Sequence, residues 1–142
     1  MAGRVCIDAS IALMLLLPHD LTTQADALWS LWTREGVDRV TAPLFFAEVT
    51  SVLREHVYRG ILSNSDGDQA FAVFTSLRIR GISSTGLQPQ AWSLAKAYNR
   101  PRAYDAQYLA VAAMLGCEMW TADRRLVNAV NAPWIRWVGD HR

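Results

Sequence analysis

The stretch RVCIDASIALMLLL, Arg4–Leu17, decides how the rest of the chain is read. Its first residues, RVCIDA, have the length and apolar content of a short buried strand. Ser10 can cap a helix over Ile11–Leu17, and Pro18 ends that helix. Between strand and helix stands Asp8. A buried carboxylate is costly unless it is neutralised, paired or bound to a cation, so Asp8 requires a partner from elsewhere in the chain.

The same strand-then-helix pattern repeats to the end. Thr22–Arg34 reads as a helix, with Thr23 and Asp26 in capping-box spacing and Gly36 as its stop. Asp38–Ala42 is a second strand, and Pro43 opens a helix running to about Arg59, closed by Gly60. Asn64–Arg80 is expected to be helical and Gly81–Thr85 (GISST) to be the third strand. Helices over Pro89–Asn99 and Ala103–Leu115 follow, then a strand at Cys117–Asp123 and a short helix at Leu126–Val130. Trp134–Val138 (WIRWV) is a fifth strand. Strands separated by helices imply a three-layer α/β/α fold, with a parallel sheet of about five strands covered on both faces. Ligands bind such sheets beyond the carboxyl ends of the strands, where Asp8 and Asp123 fall.

The bulk numbers fit one domain over residues 1–142: 51% apolar, 19% charged, net charge +1. A charge that small excludes a global field drawing the protein to nucleic acid or an anionic membrane. Lys96 is the only lysine; base composition of the source genome explains that as readily as phosphate binding does. Cys6 and Cys117 lack CxxC spacing, pointing to reduced core thiols rather than zinc or a disulfide framework. Asp8 and Ser10 interrupt the N-terminal apolar run and no cleavage site follows, so a signal peptide is not expected. No run reaches membrane-spanning length, and the cytoplasm is the expected location.

Three other acids can join Asp8. Glu48 lies among apolar residues in PLFFAEVTSVLREH, where Leu44, Glu48 and Ser51 share one helical face. Asp105 opens an Ala-rich helix dense enough to be buried, and Asp123 ends WTAD. Taken singly, each has an ordinary explanation: Asp105 and Asp123 as helix N-terminal charges, Glu48 as an arginine's partner, Asp8 as a cap. Taken together, converging carboxylates repel one another and call for a divalent cation. Oxygen donors select Mg²⁺ or Mn²⁺, and the chemistry that suits is phosphodiester hydrolysis. His19, His56 and His141 form no pair near the acids, which argues for metal-activated water, leaving a 5′-phosphate and a 3′-hydroxyl. Asn64, Asp66 and Asp68 imitate a calcium loop, but Gln69 and Thr75 stand where that loop needs Gly and Glu. A phosphoacceptor signalling domain would want a lysine after a late strand, where none occurs.

VCIDASIAL, APLFFAEVTSVL, AYDAQYLAVAAMLG and WTADRRL, in this order over essentially the full length, resemble PIN domains of the VapC toxin type. The resemblance implies a Mg²⁺- or Mn²⁺-dependent ribonuclease with Asp8, Glu48, Asp105 and Asp123 as its acidic quartet. Asp123 has the least uniform role in the family and can act through water. Ser10 and Thr121 are implied to contribute hydroxyls near the metal, and Asn128 stands where a further polar ligand sometimes occurs. Trp120 is bulkier than the family position leads one to expect. A cognate antitoxin folding over the toxin, a homodimer and a toxin–antitoxin hetero-oligomer are implied as well. Arg100, Arg102 and Arg124 (with Arg125) are placed to hold RNA phosphates, and Tyr104 to stack on a base; a solvated loop is the alternative. Trp29 and Trp32, with Leu28 and Leu31, form an apolar face for the core or an antitoxin helix. A PIN-fold protein that binds without cutting, and a solitary RNA-processing nuclease, are the competing readings.

Overall fold

A computed structural model describes residues 3–141. Five strands, β1 (Arg4–Ile7), β2 (Asp38–Thr41), β3 (Arg80–Gly81), β4 (Glu118–Thr121) and β5 (Ile135–Trp137), form one sheet. Every pairing is parallel, in the order β3-β2-β1-β4-β5. Seven helices connect them: α1 (Ala9–Leu16), α2 (Thr22–Glu35), α3 (Leu44–Tyr58), α4 (Asn64–Ser76), α5 (Leu87–Ala97), α6 (Tyr104–Leu115) and α7 (Arg124–Val130). The order reverses between β1 and β4, so the ligand-binding crevice of this topology opens at the carboxyl ends of those two strands.

Side-chain alternation assigns the layers. Cys6 donates from Sγ to the Tyr108 carbonyl, which places α6 on the Cys6 face of β1. Ile7 and its register partner Trp120 face the other way, where Trp120 meets Trp32 of α2 edge to face at 5.8 Å. Helix α6 (YDAQYLAVAAML) has no polar stripe, and Ala106 and Tyr108–Ala112 are all buried, as an all-apolar helix requires. Leu28 and Trp32 belong to the core, while Trp29 is roofed by the Arg39 guanidinium 4.3 Å from its ring centroid. Among the described residues no helix is long and apolar enough to cross a membrane.

The structure differs from the sequence reading at several boundaries. Helix α4 stops at Ser76, capped at its start by Ser63, and the third strand is Arg80–Gly81 rather than Gly81–Thr85. Strand β2 ends at Thr41 and Pro43 turns the chain into α3, so Ile82 finds a last backbone acceptor at Thr41 and the residues beyond have no ladder. The N-cap of α1 is Asp8, not Ser10. Thr23 and Asp26 form no capping box: α2 starts after Leu21 without a side-chain cap, and Thr22 uses its hydroxyl on His19 N and the Leu17 carbonyl. Helix α5 begins two residues ahead of Pro89, which costs nothing because first-turn N–H groups have no helical acceptor. Asn64, Asp66 and Asp68 lie inside α4, not in a loop.

Candidate active site

Asp8 follows the last residue of β1, and its extended backbone (φ −99°, ψ 177°) makes it the N-cap of α1. Its side chain is buried and fully engaged. Oδ1 accepts from Ser10 Oγ and from Ile11 N at 3.4 Å, and Oδ2 accepts from Thr121 Oγ1 at 2.6 Å. Among the described residues no arginine, lysine or histidine pairs with it. Burial lifts its pKa to about 6; the hydrogen bonds from Ser10 and Thr121 pull it down but do not cancel desolvation, and the charge of Asp105 adds to the rise.

Ser10 and Thr121 also fasten the two strand ends to each other. Ser10 Oγ accepts from Ala122 N at 2.8 Å and lies 3.2 Å from Thr121 Oγ1, which accepts from Asp123 N at 3.0 Å. Ser10 and Thr121, the hydroxyls expected near a metal, thus both hydrogen-bond Asp8. Asp123 itself is exposed and caps α7, its Oδ1 accepting from Arg125 N and Leu126 N.

Glu48 points inward from α3, where Leu44, Glu48 and Ser51 line a cleft of about 330 Å³ with Ala47 and Tyr104. Its Oε1 accepts from the Tyr108 hydroxyl at 2.6 Å. Burial and then this carboxylate drive the Tyr108 phenol far above its ordinary pKa, so it stays protonated and donates to Glu48. Tyr108 was missed in the sequence, although it stands one helical turn after Asp105 on α6. Asp105, in the first turn of α6, is half exposed and takes the Arg100 guanidinium at 3.4 Å. Arg100 thus faces a carboxylate, and among the described residues its buried Nε has no partner.

The charge of Asp105 is felt at Asp8, Glu48 is held by Tyr108, which lies one turn beyond Asp105 on α6, and Asp123 turns to α7. Among the described residues no three acids, histidines or cysteines are close enough to enclose one ion. Arg102, Arg124 and Asn128 are exposed, and among the described residues no hydrogen bond ties Asn128 to the acids. Tyr104, 60% exposed, overhangs the Glu48 cleft. The donor chemistry suits a hard divalent cation, which is commonly held by one or two carboxylates with water completing its shell. A buried anion without a protein counter-ion is the feature such a cation would relieve.

The raised pKa of Asp8 has a measurable consequence. Between about pH 4 and pH 6 the folded state holds a proton that the unfolded chain releases, so stability falls as pH rises through that window and levels off above it. The span corresponds to roughly 3 kcal/mol. Urea titrations from pH 4 to pH 7.5 are expected to show this decline in the wild type relative to Asp8→Asn; parallel curves would contradict the burial assigned to Asp8.

Comparison with known proteins adds a sequence finding and a structural one. The PIN domain profile matches residues 5–131. VapC ribonuclease Mb0985 of Mycobacterium bovis and ribonuclease VapC9 of Mycobacterium tuberculosis are each 32% identical over 128 residues, covering 90% of this chain and 92% of theirs. The fold is shared with PAE2754 of Pyrobaculum aerophilum (TM-score 0.68, 21% identity, 98% of this chain and 93% of that one). It is shared too with a toxin–antitoxin complex of Klebsiella pneumoniae (TM-score 0.68, 15% identity, 94% and 97% covered). Mycobacterium tuberculosis VapC20, a sarcin-ricin loop cleaving toxin, gives a TM-score of 0.67 at 17% identity, with 92% and 95% covered.

Proposed function

Because the chain belongs to the PIN-domain family, alongside the VapC ribonucleases, we propose that it is the endoribonuclease toxin of a toxin–antitoxin pair, dependent on Mg²⁺ or Mn²⁺. The observation that carries this reading is Asp8: a buried carboxylate at the strand-order reversal, held by three donors and no cation of the protein's own.

In this reading Asp8 and Asp105 would hold the cation, with Glu48 and Asp123 completing the acidic quartet. When bound, the cation supplies positive charge to the phosphate oxygens and makes water more acidic, so that hydrolysis leaves a 5′-phosphate and a 3′-hydroxyl. Ser10 and Thr121 orient Asp8 by donating to its two oxygens. Tyr108 fixes Glu48 through Oε1, leaving Oε2 to accept a hydrogen bond from the attacking water. Arg100, paired with Asp105 in the free protein, would be available to a phosphate oxygen were a cation to neutralise that carboxylate, and Arg102 and Arg124 would meet the flanking backbone.

The antitoxin occupies the apolar clefts of about 490 and 540 Å³ that meet at Pro18 and Leu62, lined by Leu13, Leu17 and Val52 on one side and Leu16 and Val73 on the other. An amphipathic segment of a partner suits such a surface. Homodimerisation and a cytoplasmic location complete the proposal.

The non-cleaving alternative draws on one observation, the lack among the described residues of three converging ligands. A cleavage assay separates the two. Purified protein is expected to cut cellular RNA into discrete fragments with Mg²⁺ or Mn²⁺, to stop in chelator, and to leave ends that ligate as 5′-phosphates. Cleavage persisting in chelator with cyclic phosphate ends would refute the mechanism, and a folded protein that never cuts would favour the binder.

A further inference from the structure

The quartet leaves unused a tryptophan at the same end of the sheet. Trp137 closes β5, opposite Thr121 in the register. Its indole Nε1 donates to the Ala122 carbonyl at 3.3 Å, between Thr121, which holds Asp8, and Asp123. A Cβ placed on Gly139 would lie 2.3, 2.4 and 2.5 Å from Cη2, Cζ2 and Cζ3 of that ring. Near-equal approach to three consecutive ring atoms means that Gly139 lies under the flat face rather than the edge; only glycine lets the backbone come so near. One face of the indole is thus closed by main chain. The Arg124 guanidinium also lies over the ring, its Cζ 4.8 Å from the centroid, and Arg124 is exposed.

The ring therefore has a fixed plane and a fixed azimuth, is only partly buried against the core, and carries a movable, exposed cation over it. Unpaired bases stack on such surfaces, and arginine beside an aromatic ring can serve the base and its phosphate together. We propose that Trp137 and Arg124 form a stacking platform that seats one unpaired base of single-stranded RNA beside the acids. The proposal rests on the ribonuclease reading and adds a positioning site to it. Arg124 swings off the ring toward phosphate as the base arrives, and the anchored indole loses little freedom on binding. Bases within a duplex are already stacked and cannot reach the plane.

Fluorescence anisotropy with a labelled, unstructured oligoribonucleotide, in chelator so that nothing is cut, tests this directly. Trp137→Ala is expected to weaken binding roughly tenfold and Trp137→Phe to stay within about threefold of wild type, with duplex RNA indifferent to both. Equal affinity of a folded Trp137→Ala protein and wild type would overturn the platform and leave the nuclease reading standing. Failure of wild type to bind the single strand at all would overturn it too, with the cleavage assay then deciding the nuclease reading by itself. If Trp137→Ala does not fold, as judged by thermal melting, photo-crosslinking of wild type to a 5-bromouridine strand decides instead. Adducts on the peptide bearing Trp137 support the platform, and adducts only elsewhere refute it.

Discussion

Asp8→Asn leaves the protein folded and lowers RNA cleavage by at least roughly 10³-fold, the loss expected when several kcal/mol of transition-state charge stabilisation disappear. The amide is nearly the same size, and the hydroxyls of Ser10 and Thr121 can each turn from donor to acceptor, so the junction of β1 and α1 keeps its hydrogen bonds. At neutral pH the wild-type carboxylate is ionised inside the protein, whereas asparagine carries no charge there. The variant is therefore expected to be more stable than wild type at pH 7.5, by about 1–3 kcal/mol, and to lose that advantage near pH 4. Mn²⁺ or Mg²⁺ should raise the melting temperature of wild type but not of the variant, because only a species bound by the folded state stabilises it. An Asp8→Asn protein that cuts RNA at the wild-type rate would remove Asp8 from the site.

Phe45→Ala is expected to cost about 3–5 kcal/mol, a large part of the stability of a domain this size. Phe45 is fully buried in the first turn of α3. Its ring meets Phe46 at 5.2 Å and 84°, and Phe74 of α4 at 6.0 Å. Phe46 in turn reaches Gly81 on the edge strand, where an added Cβ would lie 3.0 Å from its ring. Three elements thus share one aromatic joint, and removing its centre leaves a cavity that rigid helices cannot close. The melting temperature should fall by roughly 10–15 °C, and the urea midpoint should shift without a change in slope. Phe71→Ala, at the rim of the same cluster and 42% exposed, should cost less than about 1 kcal/mol. Similar costs for the two would mean that α3 and α4 repack around the hole. Because Glu48 stands one turn beyond Phe45, cleavage should weaken as well at temperatures where the variant is still folded.

What could be read from the sequence was what short-range pattern encodes. Strands β1 and β4 are legible because each has a buried stretch, Val5–Ile7 and Met119–Thr121, with an acid one or two residues beyond it. The parallel sheet followed from strands separated by helices. Strand β3 was illegible for the opposite reason: two exposed residues, Arg and Gly, carry no apolar signal and are strand only because β2 lies beside them. The exchange of roles between Ser10 and Asp8 is similar. Either oxygen can cap α1, and Ser10 is turned aside by Ala122 N, 112 residues away. The pairing of Glu48 with Tyr108 spans 60 residues and that of Trp137 with Gly139 depends on ring orientation, neither of which local spacing encodes. Trp120, unexpectedly bulky by sequence, fits because Trp32 and Arg136 flank its ring, though its indole nitrogen is left without a partner.

The clasp between Asp8 and Thr121 joins residues 113 positions apart, across the two central strands. During synthesis Asp8 leaves the ribosome 113 residues ahead of Thr121, and the donor to Oδ2 and the neighbouring strand do not exist until Thr121 follows. Fragments abandoned part-way carry Asp8, Glu48 and sometimes Asp105, but lack β4, the wall against which the site is built. The site proposed here is thus assembled only once β4 has been made, and any shorter nascent chain holds its acids without the strand that orients Asp8.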